Sequence, residues 1–448
     1  MRKSAILLEL LMLLFSAQIL SSQKPYTLQQ CKEMALKNNI MMKNSSIELE
    51  IAGKVKKSAY TNYFPSIKAD AFAFKSAENL LEYTMKGGNL PVYDGNPANL
   101  LHPTQFAYFP DNNISILNYL IMGGVNLTQP VFAGGRIANG NKLADLGIDA
   151  AKEKLNMEKT EIIVKNEEQY WLIYSLYEKL KTLESFSAML ESLRKDAESA
   201  FNAGLITKND VLKVSIRQND LNINRLKLQN GIELAIMNYC QFLGTEYCKD
   251  FRLADTLTKE SGPETYFVDH EQALKSRSEN KLLGFSVRAE ELQTKMKLGN
   301  YLPEFGVGAS AVYLNALDKG KFNAMVFGKL SIPISGWWDA SYSLQERQLR
   351  ENIAVNNAKD NSDLMLLQMQ KAKNELTECY RQIEFAFLSV QQAEANLKEY
   401  RDNFDAGVIN ISDLLQAQAL LQQSREQMAE LRSDYRIKTV KYLSVTGR

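Results

Sequence analysis

The phrase FNAGLITKNDVL (201–212) returns as FDAGVINISDLL (404–415), 203 residues further along the chain. The match continues without a gap from Phe201 and Phe404 to Gly244 and Gly447, pairing Asp210 with Asp413 and Tyr239 with Tyr442. A second correspondence, 35–65 with 273–303, holds at an offset of 238 and ends in NYFP and NYLP. The offsets differ by 35 because 65 residues separate Pro65 from Pro130, whereas 30 separate Pro303 from Pro333. The chain is therefore expected to build one supersecondary unit twice, with an insertion in the first copy.

The prolines say what kind of unit. All ten lie outside 131–262 and 334–448, two tracts of 132 and 115 residues rich in Ala, Leu, Glu, Gln and Lys. Such tracts predict long helices. Met369, Ala372, Leu376, Cys379, Ile383, Phe387, Val390, Ala393, Leu397, Tyr400 and Phe404 recur at a mean step of 3.5, a coiled-coil seam with several small members. Gly135 to Gly204 and Gly336 to Gly407 span 69 and 71 residues. At 1.5 Å per residue each long helix runs about 100 Å, and flanking helices over 27–61 and 210–244 run about half that. Two short helices end to end would match one long one, a layout for a wall of parallel rods.

The repeated phrase then reads as the tip of an antiparallel helix pair. Gly204 and Gly407 supply the left-handed cap, and Asp210 and Asp413 offset the positive end of the next helix. Capping leaves Phe201, Leu205, Ile206, Phe404, Val408 and Ile409 unexplained, since apolar residues at a tip face water unless something docks there.

Between the helical tracts the period changes to two. KFNAMVFGKLSIPI (321–334) places Phe322, Ala324, Val326, Leu330, Ile332 and Ile334 on one face, and LNYLIMGGVNLTQ (117–129) does the same with Leu117, Tyr119, Ile121, Val125 and Leu127. With SIKADAFAFK (66–75) and EFGVGASAVYL (304–314) they make four strands, expected near 66–77, 115–131, 304–315 and 321–334, long enough to cross a bilayer when tilted. Four strands cannot close a barrel, so membrane insertion would require several chains to pool them. Two soluble hairpins packed on helices satisfy the same alternation. Phe132, Trp337 and Trp338 stand at strand ends, where an interfacial aromatic belt or a packed core would equally use them. The insertion over 78–113, rich in proline and glycine, reads as a long surface loop. FRLADTL, inside the linker 245–268, could add a short strand.

The segment 1–22, with Arg2 and Lys3 before an apolar run from Ala5 to Leu20, reads as a secretory signal peptide. No cysteine follows it at a site suited to a lipid anchor. Export would expose Cys31, Cys240, Cys248 and Cys379 to an oxidising compartment; Cys240 and Cys248 could close a small disulfide loop or remain buried thiols, and no spacing suits zinc. Lysine plus arginine, 53, nearly equals aspartate plus glutamate, 52, so no basic field exists to hold nucleic acid. The two histidines, His102 and His270, lack partners for catalysis or metal binding, and no phosphate-cradling loop is present, so neither enzymatic activity nor a cofactor is expected.

In this order and doubled, the opening YTLQQCKEMALKNN, the NYFP and NYLP strand entries, the QPVFAGGR and IPISGWWD exits and the two FxAGxIxxxDxL tips resemble the TolC family of outer-membrane efflux proteins over essentially the whole mature chain. The resemblance implies a mixed α and β membrane protein in the outer membrane of a Gram-negative bacterium. Repeats over 23–244 and 269–448 would form a long antiparallel coiled-coil barrel crossing the periplasm. Four strands per chain would join a shared transmembrane β-barrel in a homotrimer held by outer-membrane lipid. It further implies a passive exit duct for a tripartite efflux or type I secretion system, with a periplasmic adaptor and an inner-membrane transporter as partners. Phe201, Gly204, Leu205, Ile206, Phe404, Gly407, Val408 and Ile409 would be the adaptor-docking tips. Asp413 matches the first aspartate of the family's periplasmic gate, with Asp210 its counterpart in the first half. The second gate aspartate is replaced by Gln416, and Ile409 stands where some members carry arginine, which implies a weaker electrostatic constriction or one closed by packing. A non-channel periplasmic scaffold or surface adhesin is the competing class.

Overall fold

The computed structural model describes residues 25–78, 80–116, 119–257, 260–315 and 320–448; the expected signal peptide lies outside them. In chain order the main elements are α1 (Leu28–Asn38), α2 (Ile40–Tyr60), β1 (Ser66–Lys75), β2 (Leu81–Met85), β3 (Gly88–Pro91), β4 (Phe106–Phe109), β5 (Asn112–Ile116), β6 (Tyr119–Ala133), α3 (Arg136–Asn202), α4 (Lys208–Leu243), α5 (His270–Ser276), α6 (Ser278–Gly299), β7 (Glu304–Asn315), β8 (Gly320–Ser331), α7 (Trp337–Asp405) and α8 (Ile411–Val445). They form two compact units, whose boundaries fall inside α2, α3, α6 and α7.

The unit built from Lys54–Leu146 and Arg288–Asn352 contains one antiparallel sheet ordered β1-β6-β7-β8. Its registers sort the side chains. Pairs such as Ile67 with Leu127, Leu127 with Ala309 and Ala309 with Val326 put Ile67, Ala69, Val125, Leu127, Val307, Ala311, Phe322, Val326 and Leu330 on one face. Lys75 at the end of β1 carries the sole charge on that face. The opposite face carries the remaining charges, Lys68, Asp70, Glu304, Lys321 and Lys329, with Asn126, Ser310 and Asn323 among apolar residues such as Phe72, Met122, Leu314 and Phe327, and there Ser310 donates to Asn126 at 2.6 Å. Pro130, which has no N–H to give, coincides with a register shift between Pro130 and Phe132. Below the sheet, Arg136 pairs with Glu304 and donates to Asn300 at 2.9 Å. Gly134 and Gly299 meet backbone to backbone: a Cβ on Gly134, at φ +59°, would stand 2.2 Å from the Gly299 carbonyl oxygen.

Two readings of this region change. β8 stops at Ser331 because Pro333 ends the ladder and Ile334–Gly336 turn into a short 3-10 helix, so Ile334 is not a strand residue. The insertion over 78–113 is more than a loop: β2 pairs with β5 and β3 with β4, as two short antiparallel ribbons. Pro91 is tolerated because it ends β3, where its missing N–H costs little.

The other unit, comprising Gly147–Val287, Ile353–Arg448 and the chain up to Gly53, is helical. One core gathers Cys31, Ala35, Tyr170, Trp171, Ile236, Tyr239 and Phe251. Within it Asp255 accepts from Leu28 N–H at 2.6 Å and from the Tyr170 hydroxyl at 2.9 Å, fixing the start of α1. In place of a strand in FRLADTL, Leu253 makes a single parallel bridge to Tyr26. A second core joins Leu376, Cys379, Ile383, Tyr435 and Tyr442.

The helix expected over 27–61 is broken once, and so is its repeat counterpart before β7. Asn39 leaves helical geometry at ψ 137° and donates from its amide to the Phe242 carbonyl at 2.8 Å while accepting from Met41 N–H at 2.9 Å. Arg277, 238 positions later, breaks the chain at ψ 134°, its guanidinium paired with Glu279 and donating to Gln368. Both breaks face a left-handed glycine: Gly244 at φ +67° beside Asn38, and Gly447 at φ +75° beside Ser276 and Arg277. The α7 seam holds at Met369, Leu376, Cys379, Ile383, Ala393 and Leu397, which are buried, but Phe387 is 53% exposed and Ala386 takes its place. A step of three from Ile383 to Ala386 brings the smaller side chain to the helix contact, where close approach favours it.

Candidate functional site

The two tips are built alike as helix caps. At the end of α3, Gly204 adopts φ +74°, its N–H reaches the Phe201 carbonyl at 2.9 Å, and Leu205 N–H reaches the Ala200 carbonyl at 2.9 Å. At the end of α7, Gly407 adopts φ +74°, with the same two bonds to Phe404 and Asn403, each at 2.9 Å. This paired pattern satisfies the last carbonyls of a helix and needs a residue free to turn left-handed. A Cβ on either glycine would meet nothing within 4 Å, so the constraint is the backbone and not a neighbour.

The caps decide where the apolar tip residues point. Leu205 is 78% exposed and Val408 73%, while Ile206 and Phe404 pack against the core beneath. Phe201 is exposed and Ile409 half-buried. That core, Leu190, Leu193, Ala197, Val214, Leu221, Ala393, Leu397, Ile411, Leu414, Ala417 and Leu421, binds the α3–α4 hairpin to the α7–α8 hairpin. Each tip therefore presents one bare aliphatic side chain on a rigid base.

The following helices start differently. Thr207 and Asp210 form a reciprocal capping box, with the Thr207 N–H donating to the Asp210 carboxylate at 3.2 Å and the Thr207 hydroxyl at 2.7 Å. Lys213 lies 3.3 Å from the same carboxylate and donates to the Ser412 hydroxyl at 2.9 Å, tying the two tips together. The Thr207 hydrogen bonds and Lys213 hold the Asp210 carboxyl below its usual range. The second tip uses Asn410 as its cap, accepting from Ser412 N–H at 2.8 Å and Asp413 N–H at 3.1 Å. Asp413 and Gln416 consequently have no side-chain hydrogen bond or ion pair to any described residue. The spacing Thr-x-x-Asp carried the signal for the first box. Lys213 and its partner Ser412 were not singled out in the sequence, because Lys213 lies one residue past the repeated phrase and Ser412, within it, is not shared by the two copies: Asn209 stands at the matching place.

Farther along the hairpins, Arg217 donates to Gln422 at 3.2 Å, and Gln218 donates at 2.7 Å to Glu191. Hydrogen bonds from Arg194 and Gln218 hold the Glu191 carboxyl down at about 2.

The remaining reactive residues are structural. No disulfide joins Cys240 to Cys248, and Cys31, Cys240 and Cys379 are buried thiols. Burial pushes Cys31 up to about 11 and Cys379 up to about 12, which leaves them inert as nucleophiles. The His270 ring faces the Tyr442 hydroxyl at 3.2 Å, and burial lowers its pKa. Among the described residues no group of His, Cys, Asp or Glu could hold a metal ion, and no helix is long and apolar enough to cross a membrane.

Long helical hairpins in one unit and a four-stranded antiparallel sheet in the other make up a fold that solved outer-membrane channels share. The solved channel OprN has this fold, with a TM-score of 0.75 at 14% identity over 94% of this chain and 89% of its own. So do CmeC of Campylobacter jejuni, with a TM-score of 0.74 at 13% identity over 94% and 85% of the two chains, and VceC of Vibrio cholerae, with a TM-score of 0.73 at 15% identity over 94% and 96%. Residues 273–448 match the model of the outer membrane efflux protein family. That match supports, over residues 273–448, the family resemblance read in the sequence. Comparison with curated proteins gives no significant match.

Proposed function

We propose that three copies of this chain form an outer-membrane exit duct that conducts cargo passively from a tripartite efflux or type I secretion system. The observation that carries this reading is the sheet itself. Its order β1-β6-β7-β8 leaves β1 and β8 as edges, and strong antiparallel alternation makes β8 run opposite to β1. The β8 edge of one copy is thus oriented to pair with the β1 edge of the next, continuing the alternation until three copies close twelve strands. Closure removes the bare edges that lipid forbids. The face holding Val326 and Leu330, both well exposed in the single chain, would then meet lipid, and the face holding Lys68 and Lys329 would line water.

In this reading the helices continue the duct through the periplasm, and the tips meet a periplasmic adaptor attached to an inner-membrane transporter. Leu205 and Val408 are the first contacts, supported by Phe201, Ile206, Phe404 and Ile409. Asp413, with Gln416 one turn on, narrows the entrance, and Asp210 acts chiefly as a cap. Replacing Gly204 or Gly407 by tryptophan should abolish transport at normal outer-membrane levels, measured as cargo retained by cells dependent on this duct. Undiminished transport in both variants would remove the docking role from the tips.

A further inference from the structure

Resting on the duct reading and going beyond it, we infer that the sheet-lined lumen selects anions over cations, so that the duct favours cargo bearing carboxylate, phosphate or sulfate groups. The side-chain registers place Lys68, Asp70, Glu304, Lys321 and Lys329 on the polar face, while β6 contributes no charge at all. Glu304 is neutralised by Arg136. Lys68, Lys321 and Lys329 are exposed, and their side chains, like that of Asp70, make no ion pair or hydrogen bond to any described residue.

The lysines are also spread along the strands. Lys329 lies opposite Gly306 towards the helices, Lys68 opposite Asn126 in the middle, and Lys321 opposite Leu314 towards the far end. Their neighbours across the face, including Gly124, Gly306 and Ser310, are small or neutral. Three ammonium groups therefore stand against one carboxylate in each chain. Should Asp70 pair with a lysine of the adjoining copy, two uncompensated lysines per chain would remain. A lumen walled by protein and lipid focuses that field, and rings of lysine favour anions in pores. The opposite charge, Asp413, belongs to the tip and can be removed separately.

The test is the reversal potential of the detergent-extracted protein in planar bilayers, under a potassium chloride gradient near 0.1 M, where screening extends over about 10 Å. In an Asp413→Ala background chloride should permeate at least about threefold better than potassium, as a lumen potential of roughly half a kT requires. Lys68→Gln, Lys321→Gln and Lys329→Gln together should bring the ratio close to unity. If the triple variant does not insert, Lys321→Gln and Lys329→Gln singly should each give part of the shift. Cation preference, or a ratio unmoved by these substitutions, overturns the inference while leaving the duct intact. Absence of any conductance overturns the duct reading, and the inference with it.

Discussion

Asp210 and Asp413 occupy matching places in the repeat, yet their carboxylates do different work. Asp210 is held by Thr207 and Lys213, whereas Asp413 faces no described partner because Asn410 has taken over the cap. Asp413→Ala should therefore raise single-channel conductance more than Asp210→Ala does; equal effects would contradict this division. Thr207→Ala should instead lower thermal stability by about 1 kcal/mol with conductance unchanged, the usual cost of a lost cap. The Asp210 box also has a pH signature. Because its folded pKa lies below the ordinary 3.8, its contribution is complete above that value and is lost as pH falls through the depressed one. Thermal melts should show the Thr207→Ala deficit at neutral pH and its disappearance under strong acid. The cap glycines and Asp210 were legible in the sequence because local backbone chemistry demands them, whereas the hand-over of the second cap to Asn410 was not. The link from Lys213 to Ser412 was not, since it joins residues 199 apart that meet only when the hairpins pack.

Helix lengths and strand alternation were legible for a similar reason: proline placement and periodicity report directly on each segment. α3 and α7, with 67 and 69 residues, follow from proline-free tracts. The breaks at Asn39 and Arg277 were hidden because both are compatible with a helix; what turns the chain there is a docking partner, Phe242 for one and Gln368 for the other. The seam likewise passes through Ala386 and not Phe387, a choice made by the facing helix. The ribbons β2–β5 and β3–β4 escaped because strands of five and four residues between prolines carry too short a pattern. The contact between Gly134 and Gly299 is the most exacting junction between β6 and α6. Gly134→Ala adds both a positive-φ penalty of about 1–2 kcal/mol and a clash with the Gly299 carbonyl. It should sharply reduce the amount of protein reaching the outer membrane, whereas Gly53→Ala, in open space within α2, should leave it unchanged. Immunoblots of membrane fractions compare the two directly.

For the chain as a whole, the decisive feature is incompleteness. A four-stranded sheet with one apolar face and two open edges is stable neither in lipid nor as an exposed surface in water. Exposed Leu205 and Val408 leave a second unfinished surface at the tips. The sequence shows that strands and tips exist, but symmetry is a property of the encounter between copies and leaves no local pattern to read. The most direct measurement is the protein mass of the species extracted by detergent from an outer-membrane fraction, with bound detergent subtracted by light scattering. A trimeric barrel gives a mass three times that of the processed chain. A water-soluble monomer or dimer, obtained without detergent, would contradict the shared barrel and leave the long hairpins as a scaffold.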